Sequence, residues 1–142
     1  MSKEVENKIQ RRMNMFFKKK NSSKPMVLMH YEGLLGFKQD FPCKASADEM
    51  SVIFENENGG TAKLFFEQIT SIDYMPETNF MGKYHNNPIS TSKSGAVKWF
   101  SVVNYVSSSQ ENKYLAFWDV DSKGRKFFED IMAKIPNKEI IL

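Results

Sequence analysis

Three side chains in this sequence could carry out nucleophilic or metal chemistry: His30, Cys43 and His85. A thiolate activated by an imidazole can act as a nucleophile, and thiolates and imidazoles are also the ligands that zinc prefers. Their spacing forms neither a CxxC nor an HxxxH pair, and Cys43 is the single cysteine. We therefore predict no catalytic residue and no metal site. Cys43 is expected to be a buried thiol, and both histidines are expected to be hydrogen-bonded to neighbours.

Carboxylates and glycines also give no chemical signature. Two pairs of carboxylates lie at or beside predicted turns, where such side chains are usually solvated: Glu55 with Glu57, and Asp119 with Asp121. Gly59-Gly60 follows an asparagine and predicts a hairpin turn. It is not a phosphate-binding loop, because no helix start follows it. No cofactor is indicated.

The elements that would position these residues are mainly β-strands. Runs of β-branched and aromatic residues with a period of two predict seven strands, separated by turn-forming residues. They cover residues 27–36, 43–47, 50–54, about 62–66, 70–75, 97–106 and 114–120. The run 97–106 is apolar on both faces, which predicts a strand that is covered on two sides. Trp99 and Trp118 lie inside such apolar runs, so we predict that both belong to the core.

A helix is predicted after the last strand, over residues 125–135. Its apolar residues fall at spacings of three, four and seven or eight, which places them on one stripe: Phe127, Phe128, Ile131, Met132 and Ile135. We expect this amphipathic helix to cover a β-core that would otherwise stay open.

Residues 76–96 show neither period and are predicted to form a long loop. Loops of that length in compact domains are usually functional or mobile. The apolar and basic residues of its first half are therefore our candidates for binding a partner: Phe80, Met81, Lys83, Tyr84 and His85.

The N-terminal segment, residues 1–24, differs from the rest in charge and pattern. Val5, Ile9, Met13 and Phe16 fall on one helical face, and Asn21 to Pro25 form a polar linker, so we place a domain boundary there. The segment could be a helix that docks on the domain or on a partner subunit, a frayed arm, or a helix that lies on anionic lipid, and an arm that binds nucleic acid is the remaining, more distant alternative. Residues that would contact a partner or a membrane are Arg11, Arg12, Phe16, Phe17, Lys18, Lys19 and Lys20.

The charges divide unevenly between these two parts. Residues 1–24 carry eight basic and two acidic side chains, a net of +6, whereas residues 25–142 carry a net of −3. A basic nucleic-acid groove across the domain is therefore disfavoured. With one cysteine, no apolar run long enough to span a bilayer and no secretory signal pattern, we expect a cytoplasmic protein that is either free or membrane-peripheral.

Seven short strands followed by one amphipathic helix resemble the pleckstrin-homology-like (PH-like) barrel, in which two bent sheets leave one end open and the helix plugs it. The stretches HYEGL (residues 30–34) and KLFFEQITSID (residues 63–73) resemble small bacterial PH-like proteins of the bPH/GRAM type, found in Gram-positive bacteria and their mobile elements. The resemblance covers residues 28–136. It implies a mainly β (α+β) barrel, which we assign to residues 25–142, and the basic helical arm predicted from residues 1–24 lies outside the resemblance.

The resemblance also implies a function without chemistry. Phosphoinositide-binding PH domains place several basic residues on their first two strands, whereas here that region offers Lys38 and Lys44 against Glu32 and Asp40. We expect a binding or scaffold module that acts through protein–protein contacts, including self-association. The alternative is a peripheral membrane protein held by the basic arm, and an enzyme is a more distant one. An exposed sheet edge and the apolar tail 139–142 are further candidate contacts.

Overall fold

The computed structural model describes residues 25–91 and 95–135. Seven strands and two helices follow one another within these ranges: β1 (Met26–Glu32), β2 (Phe41–Ala47), β3 (Ser51–Glu55), β4 (Thr61–Phe65), β5 (Ile69–Pro76), α1 (Glu77–His85), β6 (Trp99–Val106), β7 (Asn112–Asp119) and α2 (Lys123–Lys134). A single 3-10 turn, Phe66–Gln68, joins β4 to β5. The predicted mainly β architecture is confirmed.

All seven strands form one antiparallel sheet in the order β4-β3-β2-β1-β7-β6-β5. Strand β1 is central, because its first half pairs with β2 and its second half pairs with β7. It ends at Glu32 rather than at residue 36, since Gly33 adopts a positive φ of 114° and turns the chain away. A β-carbon at Gly33 would lie 2.6 Å from the carbonyl oxygen of Tyr114, so this turn requires glycine.

The sheet is strongly bent. In a flat sheet β3 and β7, three strands apart in this order, would be about 14 Å from each other. The rings of Phe54 on β3 and Phe117 on β7 nevertheless stack with their centroids 4.9 Å apart. The two halves of the sheet therefore face each other across one apolar interior, which we call the inner core.

Helix α2 packs on this inner core, to which every strand contributes. Phe127, Phe128 and Ile131 are buried, as the apolar stripe predicts. Met132 is 39% exposed, so the stripe is narrower than its five apolar residues suggest. Burial of three large side chains from one helix, each worth about 1.5–3 kcal/mol, makes α2 a main source of stability for the inner core.

Asp119 fixes the direction in which α2 starts. One carboxylate oxygen accepts hydrogen bonds from the backbone N–H groups of Asp121 and Ser122, and the other accepts one from Gly124 at 2.7 Å. These donors would otherwise be unpaired at the helix N-terminus. A β-carbon at Gly124 would meet Asp119 at 2.3 Å, so the helix and strand approach as closely as they do because residue 124 is glycine.

The prediction of a loop over residues 76–96 is wrong for its first half, which forms α1. This helix packs on the outer face of β5, β6 and β7, where a second cluster comprises Phe80, Met81, Phe100, Val102 and Ala116. We call it the outer core. The prediction that residues 97–106 are covered on two sides is confirmed for β6, since it lies between the inner and outer cores.

We expect Ile131→Ala, or Phe128→Ala, to lower the free energy of unfolding by about 2–5 kcal/mol, because each truncation leaves a cavity in the inner core. Chemical denaturation of the purified protein measures the loss. Met132→Ala is the matched control on the same helix and should cost much less, since that side chain is partly exposed. Equal losses at positions 131 and 132 would contradict the placement of the helix.

Candidate functional site

The five residues predicted as a binding loop lie on α1 instead, and two of them are committed to the outer core. Phe80 is fully buried and stacks on Phe100 with ring centroids 4.2 Å apart, and Met81 is buried beside it. Lys83 is exposed, Tyr84 is half-buried and His85 is at the surface. The structure therefore keeps only the last three accessible to a partner.

His85 belongs to a polar network with two residues that the sequence did not single out. Its Nε2 donates a hydrogen bond to Oε1 of Glu32 at 2.6 Å, and the Tyr114 hydroxyl donates to the same oxygen at 2.8 Å. An irregularity in β1 makes this geometry, because the register with β7 shifts between His30 and Glu32. Burial, together with the bond to the Glu32 carboxylate, raises the pKa of Tyr114 above its usual value.

This network holds the end of α1 against β1 and β7. Tyr84 packs on Tyr114 with ring centroids 4.7 Å apart, and Tyr31 lies edge-on to His85 at 5.7 Å. The carboxylate of Glu32 thus accepts from side chains of two other elements. The arrangement fixes the position of α1. None of its members is a serine, threonine or cysteine that the His85 imidazole could activate as a nucleophile.

His30 and Cys43 do not form a catalytic pair. The Nδ1–H group of His30 donates to the carbonyl oxygen of Lys38 at 3.1 Å, and the backbone N–H of Leu34 donates to its Nε2 at 3.2 Å. Both ring nitrogens are occupied, so the imidazole is neutral and organises the β1–β2 turn. Cys43 is buried, and burial raises the pKa of its thiol to about 12, which suppresses the reactive thiolate.

Glu77, the first residue of α1, is a buried carboxylate that no sequence pattern singled out. It accepts hydrogen bonds from the backbone and side chain of Thr91, at 2.6 and 2.7 Å, and its Oε2 lies 3.8 Å from the Lys98 ammonium group. Burial by itself would raise the pKa of Glu77, but the bonds from Thr91 and the charge of Lys98 lower it overall. The same ammonium group lies 4.4 Å from the ring centre of Trp118. These contacts fasten the chain after α1 to the outer face.

A cleft lined by aromatic side chains lies between β5, β6 and the start of α2. It measures about 240 Å³ and is lined by Tyr74, Trp99, Phe100, Ser101, Asp119, Ser122 and Arg125. Trp99 is 45% exposed, so the prediction that it belongs to the core is wrong: it stands at the first position of β6, where no layer covers it. Trp118 is half-buried, with its indole N–H donating to Asp40 at 2.9 Å. We call this space, bounded by Tyr74, Trp99 and Arg125, the aromatic cleft.

The guanidinium group of Arg125 sits at the rim of the aromatic cleft. It lies 5.4 Å from the ring centre of Tyr74, and its Nε donates to Glu129 at 2.8 Å. The Tyr74 hydroxyl donates to the backbone carbonyl of Arg125 at 3.3 Å. Tyr74 is thereby held by α2, so one wall of the cleft is fixed while Trp99 forms an exposed wall opposite.

The candidate residues of the basic arm, Arg11 to Lys20, and of the apolar tail lie outside the described residues. Within residues 25–91 and 95–135, no group of three histidine, cysteine or acidic side chains could hold a metal ion. In the same ranges, no helix is long and apolar enough to cross a membrane. No protein-family model matches the chain, and no curated protein matches it.

Acid should destabilise the fold through His30. Burial lowers the pKa of this imidazole below the usual value of 6.5, so below that pH the unfolded state takes up a proton that the folded state resists. Between about pH 7 and pH 5, the free energy of unfolding should fall more steeply for the wild type than for His30→Gln, which cannot titrate. Denaturant unfolding at each pH measures this, and parallel profiles would contradict the buried neutral assignment.

The Glu32 network should contribute to stability through Tyr114. Tyr114→Phe removes the donor to the carboxylate and should lower the free energy of unfolding by about 1 kcal/mol. Tyr84→Phe is the matched control, since its hydroxyl has no hydrogen-bond partner among the described residues. In the background of Glu32→Gln the cost of Tyr114→Phe should shrink, and a cost unchanged in that double variant would show that the bond is not the cause.

Proposed function

We propose that this chain is a PH-like module that binds proteins and performs no chemistry. The strand order supports the fold part of the proposal, since a seven-stranded antiparallel meander bends over one core and is followed directly by the helix that packs on it. The two edge strands, β4 and β5, are joined by a three-residue turn. Residues of β4 and β6 also line one cleft of about 210 Å³.

The aromatic cleft is the observation that carries the binding part of the proposal. An indole that is 45% exposed beside a second aromatic ring is the composition that protein interfaces favour. The neighbouring strand β5 is eight residues long, and no strand of the described chain pairs with its outer edge. Its backbone can therefore hydrogen-bond to one added strand.

The ligand that fits both features is an extended polypeptide segment with one aromatic or large apolar side chain. Its backbone would pair with β5, and that side chain would enter the aromatic cleft between Tyr74 and Trp99. Asp119 is already bonded to the start of α2 and Arg125 to Glu129, so the polar lining gives orientation more than charge selection. A second copy of the chain could supply such a segment as well as another protein could.

The state of the chemically competent residues supports a role in binding. The thiol of Cys43 is buried, both nitrogens of His30 bond to the backbone, and His85 bonds to Glu32. Each is used to hold the fold together. None of the three is directed into the aromatic cleft.

A random-peptide phage library selected on the full-length protein tests the proposal. Selected peptides should lose about tenfold or more in affinity for Trp99→Ala, the loss expected when an aromatic contact worth more than about 1.4 kcal/mol is removed. Trp99→Phe should keep part of the binding. Leu35→Ala, at a fully exposed position in the β1–β2 turn, is the control and should bind normally.

Amide exchange in the presence of a selected peptide locates the contact, because a strand added to the sheet would protect β5. Sedimentation over a range of concentrations distinguishes a second copy from another protein as the source of the segment, since self-association through the cleft would also be weakened by Trp99→Ala. Peptides that bind Trp99→Ala as tightly as wild type, or that leave β5 unprotected, would overturn the proposal.

A further inference from the structure

Half of the outer face of the sheet has no layer over it in the described chain. Helix α1 covers β5, β6 and β7 and reaches the end of β1 at Tyr31, and α2 packs on the inner core. The outward side chains of the first half of β1 and of β2 to β4 belong to neither the inner nor the outer core. Since Ala62 and Leu64 of β4 point into the inner core, Phe65 points outward. We call this outward surface the uncovered face. Its residues are Val27, Lys44, Ser46, Ile53, Glu55, Lys63 and Phe65.

The uncovered face and its margin expose large apolar side chains. Val27 is 60% exposed and Phe65 is 40% exposed, while Ile53 between them is half-buried. Met50, in the β2–β3 turn beside Phe65, is 67% exposed. An antiparallel sheet that faces water normally presents polar residues on its outer side. These four side chains therefore indicate a surface that another segment covers.

The arm joins the domain at the border of the uncovered face. Met26 pairs with Ala45 in the antiparallel register of β1 and β2, so the chain that precedes Met26 heads towards the end of β2. The β2–β3 turn follows there, with Asp48, Glu49 and Met50. A chain that continued in this direction before Met26 would reach Met50 and the carboxylates of Asp48 and Glu49.

The arm has the length that the uncovered face requires. As a helix, residues 3–17 would be about 22 Å long, against about 14 Å from β1 to β4. Residues 18–24 could span up to about 23 Å when extended, so the helix can turn back over the sheet. Its stripe of Val5, Ile9, Met13 and Phe16 supplies one apolar side chain per turn.

Charge also favours contact between the arm and the uncovered face. The arm carries a net charge of +6 and the remainder of the chain a net of −3. Four carboxylates lie on the uncovered face or in the turns that border it, against the two ammonium groups of Lys44 and Lys63: Asp48, Glu49, Glu55 and Glu67. The Lys63 ammonium group lies over the ring of Phe65, 5.4 Å from its centre. Basic residues of the arm would meet more negative than positive charge there.

From this combination we infer that residues 3–17 fold back as a helix across the uncovered face of β1 to β4 in the same chain, with Ile9, Met13 and Phe16 against Val27, Ile53 and Phe65. The outer face would then be covered by one helix on each half, α1 and the arm. The inference does not rest on the proposed function, since no residue that lines the aromatic cleft belongs to the uncovered face.

Paramagnetic relaxation in the full-length protein tests this directly. A nitroxide is attached at Glu55→Cys, on the uncovered face, because the buried thiol of Cys43 should not react. We expect the amide signals of Ile9, Met13 and Phe16 to lose most of their intensity. A nitroxide at Asn79→Cys, at an exposed position of α1 on the other half of the sheet, is the control and should leave those signals unchanged.

Two further samples separate the alternatives. Ile9→Asp should abolish the signal loss, whereas Gln10→Asp, which lies off the apolar stripe, should retain it. Mixing isotope-labelled protein that has no nitroxide with unlabelled protein that carries one reports contacts between copies. Signal loss that occurs only in that mixture, or no loss from the nitroxide at position 55, would overturn the inference. Anionic vesicles added to the Glu55→Cys sample give a third measurement. If the arm leaves the domain for the vesicles, so that the amide signals of Ile9, Met13 and Phe16 no longer respond to the nitroxide, the inference is also overturned.

Discussion

Strand β1 must pair with two partners that lie in different directions, and the rest of the fold depends on how it does so. Its first half is bonded to β2 and its second half to β7, with only Met29 and His30 shared between them. A straight strand cannot serve two sheets that face each other, so the change of direction falls within these few residues. The stacking of Phe54 on Phe117 across the interior is the result.

The same bend distributes the chemistry-bearing residues between two sides of the sheet. His30, before the irregularity, points inward and is held by the backbone of the β1–β2 turn. Glu32, after it, meets His85 and Tyr114 on the outer side. His30 and Glu32 are only two positions apart on β1, where side chains normally face the same side of a sheet, yet they make their contacts on opposite sides. The buried thiol of Cys43 belongs to the inner core, whereas His85 lies at the surface on α1.

Much of the architecture could be predicted, because strands with a period of two and a helix with one broad stripe leave a local signature. Helix α1 left none: its apolar residues Phe80, Met81 and Tyr84 occupy a single turn, and the polar chain that follows hides its end. Trp99 was wrongly predicted to be buried for a different reason. The composition of a strand does not show which of its ends is left uncovered by the packed helices. Glu32 and Glu77 were missed because their partners, Tyr114 and Thr91, are brought to them by tertiary contacts. Only a three-dimensional arrangement shows such pairs.

The pairing of Met29 with Trp118 also has a consequence for the speed of folding. The two halves of the sheet can each begin from hairpins of neighbouring strands, but the strands that unite them are separated by most of the domain. Closing so large a loop costs chain entropy before the contacts that reward it are made. The rate-limiting barrier should therefore lie at the union of β1 with β7. Until then the apolar inner faces of both halves remain open to water.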